Sequence, residues 1–174
     1  GRVWTEDAKA ETRQYLATAV QWLNEQAETY GRTLQLYYDD GTVNSPLCRT
    51  YTPKSAIRGG RSSEESDALL TELDAVSATL DTAALQKTYG TDRVAFLYFL
   101  PVSGASFTMV HYADDGSNFY HEYSCLYRYD VYAGEGESES PATYAHEILH
   151  LFGAPDLYEG SSDDFVDDAL IAYV

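Results

Sequence analysis

Apolar residues recur at helical spacing over residues 5–30, at Ala8, Tyr15, Leu16, Ala19, Leu23 and Ala27, and Gly31 supplies a stop. This predicts a first helix. Residues 33–38 (TLQLYY) read as a strand closed by the turn Asp39-Asp40-Gly41, and 44–63, with Pro46, Pro53 and Gly59-Gly60, as a long loop. Ser62-Ser63-Glu64-Glu65 has the form of a capping box ahead of Leu69, Leu70, Leu73, Val76 and Leu80, so a second helix starts there. It breaks near Asp81, which caps a short helix to Tyr89 that Gly90 ends.

The period then changes from helical to extended. Residues 93–100 form a nearly continuous apolar run, the kind that lies central in a sheet. Further strands are predicted at 106–112 and, alternating through Tyr123, Cys125, Tyr127 and Tyr129, within 119–132. The turn 114–118 separates them; its spacing does not match a calcium-binding loop. After an acidic loop at 134–140, Ser140 caps a helix that Pro141 opens, a position where the missing N–H does no harm. That helix is expected to include 143–152, to end at Gly153, and to be followed by a last one from 161 toward Val174. The expected fold class is α+β, a mixed, twisted β-sheet with packed helices, and residues 1–174 form a single domain.

Composition narrows the partners. A net charge of −17 argues against nucleic acid and anionic membranes, which repel such a surface. The longest apolar run, 94–102, is strand-sized, so no membrane insertion is expected. Sixteen tyrosines against three lysines suit a secreted or cell-envelope protein; the chain shows no basic and apolar leader, and its start at Gly1 fits equally a removed signal segment or an added terminal glycine. Cys48 and Cys125 are read equally as one disulfide or as two buried thiols; a bridge would stabilise by roughly 4 kcal/mol and imply an oxidising compartment.

The chemistry is concentrated in His146-Glu147-Ile148-Leu149-His150-Leu151-Phe152-Gly153-Ala154-Pro155-Asp156. Residues four apart on a helix lie about 40° apart around its axis, so His146 and His150 face one way and can share a metal ion. Glu147 stands beside them, where a carboxylate can take a proton from a water on that ion. Gly153 lets the chain turn back, so that Asp156 reaches the same ion and leaves a fourth position for water. A carboxylate further on, at Glu159, Asp163, Asp164, Asp167 or Asp168, is the alternative third ligand. His111 and His121 sit in strand patterns and read as packed or solvated; Tyr158, two residues past Asp156, could reach the site as an oxyanion donor but, as one of sixteen tyrosines, reads rather as a packing or surface residue.

With His146, Glu147, His150, Gly153 and Asp156 in the pattern His-Glu-x-x-His-x-x-Gly-x-x-(His or Asp), the chain resembles the metzincin superfamily of zinc peptidases, and Asp in the third place is similar to the snapalysin-type small neutral proteases. The resemblance implies a metzincin-like sheet with the zinc helix beneath a cleft and one catalytic Zn2+ on His146, His150 and Asp156. It further implies an endopeptidase with Glu147 as general base, acting on a peptide or protein substrate. An extended peptide would then add to an edge strand within 119–132. Metzincins also carry a methionine turn after the third ligand, whereas none of the 18 residues after Asp156 is Met and the one methionine, Met109, lies upstream. Two rival readings are a non-catalytic extracellular binding protein with a peptidase-like fold and a zinc hydrolase of a non-peptide amide. An intact Glu147 argues against the first, since a site that only binds metal has no need of that carboxylate.

Overall fold

The computed structural model describes residues 4–42, 47, 52, 54, 62–109, 122–132 and 136–156. Among them are four helices and a three-stranded mixed sheet, an α+β arrangement. Helix α1 (Glu6–Thr29) starts where the Thr5 hydroxyl accepts from the Ala8 N–H, and its first turn carries Glu6 and Asp7, which suit the positive end of a helix. Helix α2 (Ser63–Ser77) is capped by Ser62, whose hydroxyl accepts from the Glu65 N–H at 3.2 Å, and α3 (Thr82–Tyr89) by Asp81. Gly90 ends α3 at a φ of 66°, a left-handed conformation that glycine adopts without strain.

Strands β1 (Phe96–Gly104), β2 (Phe107–Met109) and β3 (Tyr123–Asp130) lie in the order β1-β3-β2, with β1 parallel and β2 antiparallel to β3. Alternation sends the two faces of this sheet to different helix pairs. Leu97, Phe99 and Leu126 meet Leu16, Ala19, Val20 and Leu23 of α1 and Tyr144, Ala145 and Ile148 of α4 (Pro141–His150). Phe96, Leu100, Tyr123, Cys125 and Tyr127 face Leu69 and Leu73 of α2 and Leu85 of α3. The result is three layers, with β3 at the centre and its first five residues all buried. Burial pushes the Cys125 thiol up to about 12, so this free thiol behaves as a small apolar group. Cys48 lies outside the described residues.

One close contact fits β1 against β3, and one ion pair joins the sheet to α1. A Cβ on Gly104 would sit 2.3 Å from the buried Tyr127 ring, so the end of β1 accepts no larger residue without moving that ring. The partly buried Arg128 guanidinium donates to Glu11, tying β3 to α1.

Three expectations are corrected. Residues 33–38 form no strand: Leu34 and Leu36 do point inward alternately, but the Asn24 side chain takes both main-chain groups of Leu36, accepting from its N–H at 3.0 Å and donating to its carbonyl at 3.3 Å. A side-chain amide thus substitutes for a neighbouring strand. The apolar run that continues as β1 is an edge strand of the described sheet, not a central one, because helices on both faces, α1 and α4 on one and α2 and α3 on the other, rather than two flanking strands account for its burial. β3, the strand described within 119–132, is central, with β1 along one side and β2 against Tyr123–Cys125 on the other, so among the described residues the edge on the side of α4 is β2; residues 119–121 lie outside them. The loop at 44–63, the turn at 114–118 and the helix from 161 fall wholly or largely outside the described residues.

Candidate metal centre

Helix α4 is held at both ends. The Ser140 hydroxyl accepts from the Thr143 N–H, and Pro141 occupies the first turn. One stripe, Tyr144, Ala145 and Ile148, is buried on α1 and the sheet, with the Tyr144 ring edge-on to Tyr15 and Phe99. The helix ends at His150, two residues before the sequence pattern suggests, because a turn closes on it. Gly153 N–H donates to the His150 carbonyl and Ala154 N–H to that of Leu149, the paired bonds that a left-handed residue permits, and Gly153 has φ 82°. Nothing lies within 4 Å of a Cβ built there, so conformation rather than space calls for glycine.

That turn brings Asp156 back over the helix. His146 Nε2 and His150 Nε2 are 3.1 Å apart, and Asp156 Oδ1 lies 3.1 Å from the first and 3.3 Å from the second. Four ligands around zinc at 2.0–2.1 Å define a tetrahedron with edges of about 3.3 Å, so the three atoms have the size of one tetrahedral face. Lone pairs packed this closely repel one another unless a proton or a cation sits among them. The His150 ring is oriented by its far side, where Nδ1 lies 2.7 Å from the Ala154 carbonyl and donates to it, leaving Nε2 as the free ligand nitrogen. His146 is the more exposed of the two, its side chain 46% accessible against 18%, which leaves the cluster open toward solvent on that side.

Glu147, beside them, is buried, 5% exposed. One of its carboxylate oxygens stays within 4.8 Å of ligand nitrogens of both histidines. Its Oε2 accepts from the Thr108 hydroxyl of β2 at 2.8 Å. Burial pushes the carboxyl above the ordinary range, while the Thr108 bond and both histidines pull it back and Asp156 pushes it up. The arrangement can hold a divalent cation on two nitrogens and one oxygen, with a proton acceptor alongside.

Just before α4, Glu139 is buried and its carboxyl is raised, chiefly by burial. A raised folded-state value means that the folded chain holds the proton more tightly, so stability falls as pH rises from the ordinary carboxyl value through the raised one. Glu139→Gln is therefore expected to raise the melting temperature at neutral pH and to lose that advantage in acid. Thermal denaturation across pH checks this, and a gain that grows in acid would contradict it.

All five residues of the motif are described; His146, His150 and Asp156 meet at one point, with Glu147 beside them and Gly153 at the turn. His111, His121, Tyr158 and the alternative carboxylates Glu159, Asp163, Asp164, Asp167 and Asp168 lie outside the described residues. Thr108 and Ser124, which contact Glu147, carry no signal in the linear pattern; only the strand register reveals them. Compared with known proteins, the chain matches no family model, no curated protein and no solved structure.

Proposed function

We propose that this protein is a zinc-dependent endopeptidase, with His146, His150 and Asp156 as ligands of one ion and Glu147 as general base. The observation that carries the reading is the triangle of Nε2, Nε2 and Oδ1 atoms, 3.1–3.3 Å on a side, next to a buried carboxylate. Two imidazoles and a carboxylate form a donor set suited to zinc and leave a fourth position for reactants. Bound there, zinc would polarise a water and the scissile carbonyl.

The rest of the work falls to the chain's own residues. Glu147 accepts the proton of the attacking water and passes it to the leaving amine. The Ala154 carbonyl keeps the His150 ring turned toward the site. An extended peptide is aligned by main-chain hydrogen bonds along β2, the edge strand whose Thr108 touches Glu147.

Protein purified without added metal is expected to contain one zinc per chain and to cleave an unstructured peptide. A chelator should abolish cleavage and added zinc restore it. Full cleavage by metal-free protein, or neither zinc nor cleavage, would overturn the reading.

A further inference from the structure

At Glu147 the hydroxyls of Thr108 and Ser124 lie closer than their sequence separation suggests. Thr108 Oγ1 is 2.8 Å from Glu147 Oε2, 2.8 Å from Ser124 Oγ and 2.9 Å from the Glu147 carbonyl, while Ser124 Oγ is 3.3 Å from that carbonyl. The contact follows from register. Thr108 and Ser124 are directly paired between β2 and β3, and both point to the face that α4 covers. Ser124 is fully buried, so its hydroxyl must spend its one proton inside the protein.

The same accounting applies to the end of α4, whose last four carbonyls have no partner within the helix. Those of Ile148, Leu149 and His150 accept from Leu151, from Phe152 and Ala154, and from Gly153. The Glu147 carbonyl is left to the two hydroxyls. Each hydroxyl has one proton, and the strongest acceptor within reach is the carboxylate. The Thr108 proton therefore goes to Oε2, and Ser124 donates to Thr108 Oγ1 or to the carbonyl.

We propose that Thr108, supported by Ser124, is a positioning residue that holds the Glu147 carboxylate by its Oε2 so that Oε1 is presented to the attacking water. The inference rests on the general-base reading of Glu147. It makes β2 part of the catalytic machinery as well as an edge for substrate, because the strand that would align the peptide also sets the angle of the base. One hydrogen bond removes one rotational freedom of a carboxylate that a helix alone leaves free to swing, and misplacing a catalytic group by about 1 Å can cost 100-fold.

The test uses the full chain. Thr108→Val keeps shape and removes the hydroxyl, with Thr108→Ala in its place should the Val variant not fold; Thr108→Ser keeps the hydroxyl. In the zinc-loaded protein the Val variant is expected to lose roughly 10- to 100-fold in kcat, with KM and zinc affinity little changed, and the Ser variant to recover most of it. Unchanged kcat in Val, or an equal loss in Val and Ser, overturns the proposal, since the second result would assign the effect to the methyl group.

Crystal structures of the metal-free parent and variants give a second readout that needs no activity. The carboxylate should stay on the hydroxyl in the parent and in Ser, and turn or split between rotamers in Val. A carboxylate unmoved in Val overturns the proposal. If the zinc-loaded parent cleaves no peptide, the peptidase reading fails, and the crystal structures alone still decide whether Thr108 positions Glu147.

Discussion

Glu147→Gln is expected to leave zinc content and fold intact and to lower peptide turnover by about 10²–10⁴-fold, the range that a positioned general base contributes. The substitution is nearly isosteric. An amide oxygen can still accept from Thr108, so the buried position keeps its partner. The second carboxylate oxygen, however, becomes an NH2 group, which donates protons and cannot take one from water. Because the side chain is 5% exposed and burial raises its carboxyl, the neutral amide also removes a desolvation cost, and the variant should be at least as stable as the parent. Turnover, zinc stoichiometry and thermal denaturation measured on one preparation separate chemistry from folding. Cleavage at the parental rate would show that another group takes the proton.

Asp156→Ala is expected to have the largest effect on the metal. Oδ1 forms two sides of the 3.1–3.3 Å triangle, and without it only His146 and His150 remain. Zinc affinity should fall by more than the roughly 10–100-fold that loss of an outer-shell partner costs. Asp156→His should restore much of it, because zinc accepts imidazole as readily as carboxylate. Alanine at Glu159, Asp163, Asp164, Asp167 or Asp168 should leave affinity nearly unchanged. Chelator competition across these variants is the measurement. An Asp156→Ala protein that holds zinc like the parent, with one of those five carboxylates indispensable, would move the third ligand to the later segment.

Both experiments probe residues whose grouping was legible in the linear chain, and the reason is locality. The i, i+4 spacing of His146 and His150 places them on one helix face whatever surrounds them, and Gly153 permits the turn that returns Asp156 within a few residues. The helix starts were legible for the same reason. Thr5, Ser62, Asp81 and Ser140 each cap an N–H three residues along the same stretch of chain.

The sheet was not legible in this way, because an apolar run states only that a strand is buried. The 93–100 run and the 119–132 alternation suggested a central strand and an edge strand, and the observed order reverses them: helices cover β1, while β1 and β2 flank β3. Residues 33–38 alternate like a strand, but Asn24, twelve residues before Leu36 and on α1, takes the main-chain groups of Leu36. Thr108 and Ser124 meet Glu147 across 39 and 23 residues of sequence, through a pairing register that no local spacing encodes. By itself the sequence determined where the described helices begin and which side chains can converge within one turn, since backbone geometry sets those distances, whereas α2 and α4 end a few residues earlier than their apolar spacing suggests. Which strand of the described sheet lies in the middle and what holds the Glu147 carboxylate were decided by the tertiary structure, because they depend on partners brought together only when the layers pack.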